Sequence, residues 1–350
     1  MQYRKCLSWL KKNLFSILTI ALSFGILGAF LSTQDGMRNF RYAGERFRSG
    51  WLVWIAFGVA AGWLLESFVL HLFCRHIDRR WTFGRSFYVG MVGLFYSALT
   101  PFCMGEPMEI YNMSKMGMDA GEASSVIGVK SLVHHAAMLV YSLFLISLRL
   151  RYFQTRVSNF SFLALFGLLT NAVFIAMVLL FILKESAADA VLRTAVSILD
   201  RLKMKKLSRR FYDSVHGQLI VFHDCSRRMG KAGLLYLWAS LLTLVQITAA
   251  SLISYFVYRS FGLRGESVLT MVAADTFVTM VATFVPLPGS SGGMEGGFYL
   301  FFQEFFGAAI VPAITLWRVS TYYVNIFFGF FIVAAGKRRF RLNQDAVSQA

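Results

Sequence analysis

Two stretches place an acid a fixed distance before a base in apolar surroundings. Glu106 precedes Lys130 by 24 residues, in Lys130-Ser-Leu-Val-His134-His135, and Glu295 precedes Arg318 by 23, in Arg318-Val-Ser-Thr-Tyr322-Tyr323. A charge in hydrocarbon costs about 2.5 to 3.5 kcal/mol on insertion scales, so such residues mark functional candidates. Lys130 and Arg318 suit a phosphate, and an arginine grips one through two parallel hydrogen bonds. Glu106 and Glu295 suit an amine. The plainer alternative is that each glutamate pairs with its own cation and ties helices together, and one pair can serve both ends.

Helix-breaking residues surround both glutamates. Pro101, Gly105 and Pro107 flank Glu106, while Pro286, Pro288, Gly289, Gly292 and Gly293 precede Glu295; these sites hold four of the chain's five prolines. Non-helical backbone survives at membrane depth only when buried in protein or lining a wet cavity. A half-helix starting after Pro107, or after Gly296-Gly297, would aim unpaired N–H groups and a positive dipole end at that cavity, as a phosphate requires. His134 reads as a proton relay or as a packed, satisfied side chain, and its positional counterpart Tyr322 cannot relay in the same way near neutral pH. Asn171, Gln246, Thr276 and Asn325 read as interhelical hydrogen-bonding groups or as the lining of a path. Asp275 stands apart as an ionisable group in an apolar window.

The elements that must position these residues are membrane helices. The 350 residues are 57% hydrophobic with mean hydropathy +0.57 and only 15% charged, a composition that excludes an ordinary soluble domain. The net charge of +17 sits in short basic runs beside apolar segments, which suits membrane orientation and anionic headgroups better than nucleic acid. Cys6, Cys74, Cys103 and Cys225 form no Cys-x-x-Cys pair, so no disulfide framework or zinc site is indicated. No metal triad, His-Glu-x-x-His, Gly-x-Ser-x-Gly or nucleotide-binding motif is present, and no cofactor is expected.

Apolar windows fall at Leu14–Leu31, Trp51–Phe73, Phe87–Phe102, Val126–Leu148, Phe160–Leu183, Leu234–Val257, Val268–Val285 and Ala308–Ala335. The N-terminal basic run and first window read as a retained helix, since no small-x-small cleavage site follows. Basic residues place the N-terminus, Arg75–Arg85, Lys184–Lys231 and Lys337–Arg341 in the cytoplasm. That assignment closes only if the third and seventh windows dip in and return. Arg38, Arg41, Arg46 and Arg48, on the outer side, run against it. The expectation is an all-α polytopic membrane protein with about six full spans and two re-entrant helical hairpins, near 86–118 and 267–306. The first repeat covers 1–150, and a second, inverted repeat covers 151–341 with a cytoplasmic basic segment at 184–231 and a tail at 342–350. Inverted repeats place transporter sites near the midplane, where helices break. Asp189–Arg210 reads equally as an amphipathic helix on anionic lipid or as a solvated linker.

The chain resembles the transmembrane region of the lysylphosphatidylglycerol synthase/flippase family, in its short stand-alone form. The resemblance rests on Thr100-Pro101 through Gly105-Glu106-Pro107-Met108 and Ile110-Tyr111, on Pro286-x-Pro288-Gly289 through Gly292-Gly293, Glu295 and Gly296-Gly297-Phe298, and on Trp317-Arg318 with Thr321-Tyr322-Tyr323. Glu109 departs from the family pattern, where Gln or Arg is common. The resemblance implies lipid translocation without the aminoacyltransferase domain that longer members append. It implies a phospholipid partner with an anionic or aminoacylated headgroup, and a bacterial-type plasma membrane. A second copy of the chain or a separate synthase is the expected protein partner. An intramembrane lipid-modifying enzyme using Glu106 or Glu295 as base, and an accessory subunit of a synthase, are the competing functions.

Overall fold

The computed structural model describes residues 25, 44–100, 105–157, 159–201, 205–282, 285 and 287–348. The first apolar window, Pro101 and Pro286 therefore lie outside the described residues. The described chain is helical, without strands: α1 (Trp51–Ile77), α2 (Phe83–Leu99), α3 (Glu106–Lys115), α4 (Ala120–Arg156), α5 (Phe160–Leu183), α6 (Glu185–Arg201), α7 (Lys205–Gly230), α8 (Gly233–Ser260), α9 (Val268–Ala282), α10 (Gly293–Phe306), α11 (Ile310–Arg318) and α12 (Val324–Ser348). Among the described residues, five stretches are long and apolar enough to cross a membrane: α1, α4, α5, α8 and the run Pro288–Gly336. The protein is an all-α, multi-pass membrane protein.

Length and composition together separate the crossing helices from the rest. At 1.5 Å per residue, the 27 residues of α1 reach about 40 Å and exceed the ~30 Å hydrocarbon core. The 17 residues of α2 reach about 26 Å and the 10 of α3 only about 15 Å. α9 and α10, with 15 and 14 residues, reach about 22 Å each. None of these four arms crosses by itself, and α2/α3 and α9/α10 pack as helical hairpins within the stretches expected from the sequence.

The last apolar window is not one uniform helix. Gly307, at φ 51°, ends α10, and after α11 a π-helical turn, Val319–Tyr323, widens the helix before α12. Such π-bulges rotate side chains out of α register. Here the turn carries Tyr322, whose hydroxyl donates to the Ala98 carbonyl at the end of α2, 3.0 Å away. α12 then packs along α2 through Gly329 and Gly336, where a Cβ would come 2.7 Å from Phe95 and 1.9 Å from Tyr88. Small residues let membrane helices approach this closely.

Two buried clusters hold the fold. One joins α1, α2 and α3 to the N-terminal half of α4 and to α7, through Leu70, Phe73, Val89, Met113, Ile127 and Met229. The other surrounds α9, α10 and α11 with the C-terminal half of α4, and its centre is aromatic: Phe153, Phe160, Phe277, Phe298, Phe301 and Phe302. α5 turns Phe162, Leu165, Leu169 and Val173 outward, and α12 exposes Phe327, Phe330 and Phe331, as lipid-facing surfaces do.

The basic segment after α5 folds into a helical pair. α6 and α7 pack on each other, and α7 packs on the start of α4, with Ser125 and Ser226 hydroxyls 2.7 Å apart and Gly121 against the Gln218 carbonyl. Asp189–Arg210 thus straddles the end of α6 and the start of α7. Burial of Cys225 and Met229 against α4 makes this pair part of the folded body.

Candidate functional site

Side chains from five helices, both arms of the first hairpin among them, line a cavity of 240 Å³. α1 supplies Glu66, α2 Gly93 and Ser97, α3 Glu106 and Glu109, α4 Lys130, Ser131, His134 and His135, and α8 Thr243 and Gln246. Helical spacing explains the convergence. Glu106 and Glu109 stand three apart on one face of α3, and Lys130/His134 and Ser131/His135 stand four apart on one face of α4.

Lys130 is the hub. Its Nζ donates to Glu66 Oε1 at 2.8 Å and to Glu109 at 2.8 and 3.1 Å. Gln246 Nε2 holds the second Glu66 oxygen at 2.7 Å. The Glu106–Lys130 pair considered from the sequence does not form: Glu106 instead accepts the Ser131 hydroxyl. Three carboxylates therefore surround one ammonium, and two of them share it. A buried carboxylate needs such pairing, which fixes Glu66 and Glu109 in place. Glu106 is left with a neutral partner and faces the cavity.

Close packing of the hairpin arms sets this geometry. A Cβ on Gly93 would lie 1.9 Å from Glu109 Oε1, and one on Gly105 would lie 2.1 Å from the Gly93 carbonyl. Only hydrogen at Gly93 lets the Glu109 carboxylate lie against α2 and still reach Lys130.

The helix starts differ from the sequence expectation. α3 begins at Glu106, with Gly105 as cap and Pro107 in its first turn, and α10 begins at Gly293 rather than after Gly297. Each first turn carries its own glutamate, Glu106 in α3 and Glu295 in α10. Glu295 Oε2 accepts the Gly292 N–H at 2.6 Å. The places suited to a bound phosphate thus hold a carboxylate of the chain, which already complements the positive helix end.

The second tip is closed. Arg318 Nε donates to Glu295 Oε1 at 2.6 Å, and its Nη2 reaches the Gly289 carbonyl at 3.2 Å and Ser291 Oγ at 3.3 Å. The guanidinium lies 4.5 Å from the centre of the Tyr322 ring. That ring packs on Gly289, at φ 57°, where a Cβ would sit 2.1 Å from it. Arg318 and Glu295 are 4% and 3% exposed, so the pair is enclosed by protein. Pro288, Gly289, Gly292, Gly293, Glu295, Arg318 and Tyr322 belong to this knot, whereas Glu106, Lys130 and His134 line the cavity and Gly105 and Pro107 flank Glu106 at the start of α3. The knot and the cavity-bearing hairpin touch through Tyr322 and Ala98.

The two histidines differ. Both line the cavity, but His135 Nδ1 also meets Asn171 Oδ1 at 3.0 Å and its ring packs on Phe174 at 4.1 Å. Gln246 and Asn325 hold other helices, Asn325 through the Trp63 indole at 2.7 Å. Glu66 was not singled out from the sequence. Its signal was there: it is the lone acid within Trp51–Phe73. Among the described residues no cluster of His, Cys, Asp and Glu has the arrangement of a metal site.

The described chain is thus a multi-pass helical membrane protein with broken helices and buried charge beside the breaks. Residues 16–329 match the lysylphosphatidylglycerol synthase transmembrane region, and the chain belongs to that family. It is also 25% identical over 301 residues to a UPF0104 membrane protein of Archaeoglobus fulgidus, covering 81% of this chain and 86% of the relative.

Proposed function

We propose that the protein moves a phospholipid between bilayer leaflets and that its cavity holds the cationic part of the headgroup. One observation carries this reading: three carboxylates line a small, polar, membrane-embedded cavity that holds a single lysine. With Lys130 shared by Glu66 and Glu109, Glu106 is the acid left to receive an amine. A volume of 240 Å³ corresponds to about eight waters at ~30 Å³ each, enough for a headgroup fragment while the acyl chains stay in lipid. Family membership supports a lipid, and the carboxylate excess favours an aminoacylated headgroup over a bare phosphate. The basic runs support cytoplasmic termini in a plasma membrane.

Proteoliposomes test the proposal. Lysylphosphatidylglycerol carrying a fluorescent acyl chain is expected to exchange leaflets faster with the protein than in empty liposomes, and faster than the matching phosphatidylglycerol. Equal rates with and without protein for both lipids would reject it. Faster movement of phosphatidylglycerol would retain transport and reject the amine site.

A further inference from the structure

Asp275 is an ionisable group of the second hairpin that the headgroup site does not use. It lies midway along α9 and is 4% exposed. Its carboxyl accepts the Ser254 hydroxyl from α8, with Ser251 of α8 and Trp317 of α11 alongside. Ser251 Oγ lies 3.3 Å from Thr276 Oγ1, which donates back to the Val272 carbonyl at 2.8 Å.

Of the charged groups on the elements packed around α9, Glu304 of α10 and Glu122 and Arg151 of α4 lie toward helix ends, and Arg156 pairs with Glu266. On α8, Arg259 lies over Trp51 and bonds Tyr255. Glu295 of α10 and Arg318 of α11 hold each other. On α4, Lys130 serves Glu66 and Glu109, His134 and His135 lie at the cavity, and Arg149 reaches Ser267 just before α9. α5 has no ionisable residue. Among the described residues Asp275 forms no ion pair, and the Ser254 hydroxyl is its hydrogen-bond partner.

That partner fits two protonation states. A serine hydroxyl can donate to a carboxylate or accept from a carboxylic acid. Neither state leaves a buried polar group without a partner, which is what a proton-exchanging carboxyl needs in an apolar interior. We propose that Asp275 is a proton-binding site that links protonation to the packing of α9 against α8 and α11. Binding takes one proton from water to give the carboxylic acid, and release reverses it. The inference is independent of the headgroup reading.

Infrared difference spectra of the protein in nanodiscs, recorded through a pH titration, test it without any transport measurement. The wild type is expected to gain a carboxylic-acid C=O band on acidification that Asp275→Asn lacks. Ser254→Ala is expected to displace the midpoint of that band by about one pH unit. If Asp275→Asn does not fold, the displacement in Ser254→Ala and Ser251→Ala carries the test. A wild-type minus Asp275→Asn spectrum that is flat across the titration overturns the proposal, and so does an unmoved midpoint in the serine variants.

Discussion

Glu109, not Glu106, is the acid that holds Lys130, with both of its carboxylate oxygens within 3.1 Å of the ammonium. The sequence interval of 24 residues pointed to the other glutamate. One helical turn of α3 separates the two, and that turn divides the work: Glu109 neutralises the lysine while Glu106 remains at the cavity.

Removing the hub leaves two buried acids without a counter-charge. Lys130→Met is expected to destabilise the protein by about 3 to 5 kcal/mol, the usual result of breaking a buried pair from one side. Adding Glu109→Gln should restore part of the loss. Thermal unfolding in detergent checks both, and a Lys130→Met variant as stable as wild type would contradict the shared ion pair.

Glu106→Gln should behave in the opposite way. The amide still accepts the Ser131 hydroxyl, so stability is expected to stay within about 0.5 kcal/mol. Translocation of lysylphosphatidylglycerol should fall about tenfold, corresponding to the loss of about 1.4 kcal/mol of charge interaction with the amine. Unaltered translocation in the proteoliposome assay would remove Glu106 from the site.

The glycines of the two tips are not equivalent. Gly93→Ala and Gly289→Ala force a Cβ into Glu109 and Tyr322, and each is expected to cost about 1 to 3 kcal/mol. Gly296→Ala meets nothing within 4 Å inside α10, so it should be neutral or gain up to about 1 kcal/mol of helix propensity. Melting temperatures of the three variants decide whether packing or membership of the motif governs tolerance.

Two changes probe the closed knot. Arg318→Lys loses the directed Nε and Nη2 bonds to Glu295, Gly289 and Ser291, which an ammonium cannot reproduce together. It is expected to cost at least about 2 kcal/mol, and rescue by added salt is not expected for so buried a pair. Tyr322→Phe removes only the bond to Ala98 and should cost about 1 kcal/mol. Chemical unfolding compares them, and equal losses would show that the link to Ala98 matters as much as the ion pair.

The broad architecture was legible because bilayer thickness acts on chain length. Apolar windows, basic runs and clustered prolines marked the spans and the two breaks, and α2/α3 and α9/α10 lie where those signals put them. Glu295 and Arg318 also met as their spacing suggested, because both belong to one hairpin and the helix that follows it. Lys130 did not, because its partners come from α1 and α3, and Glu66 is 64 residues away in the chain.

The sequence by itself determined that this is a helical membrane protein, where its helices break, and which few charges must be accounted for at depth. Those conclusions follow from local composition, since hydrocarbon imposes the same demand on every segment. Only the tertiary structure decided that one hairpin lines an acidic cavity and the other seals around Arg318. That difference depends on which helices bring partners to each cation, and on glycines whose missing side chains let carboxylates and rings approach. Contacts such as Glu66 with Lys130 join residues far apart in the chain, where spacing along it is no guide.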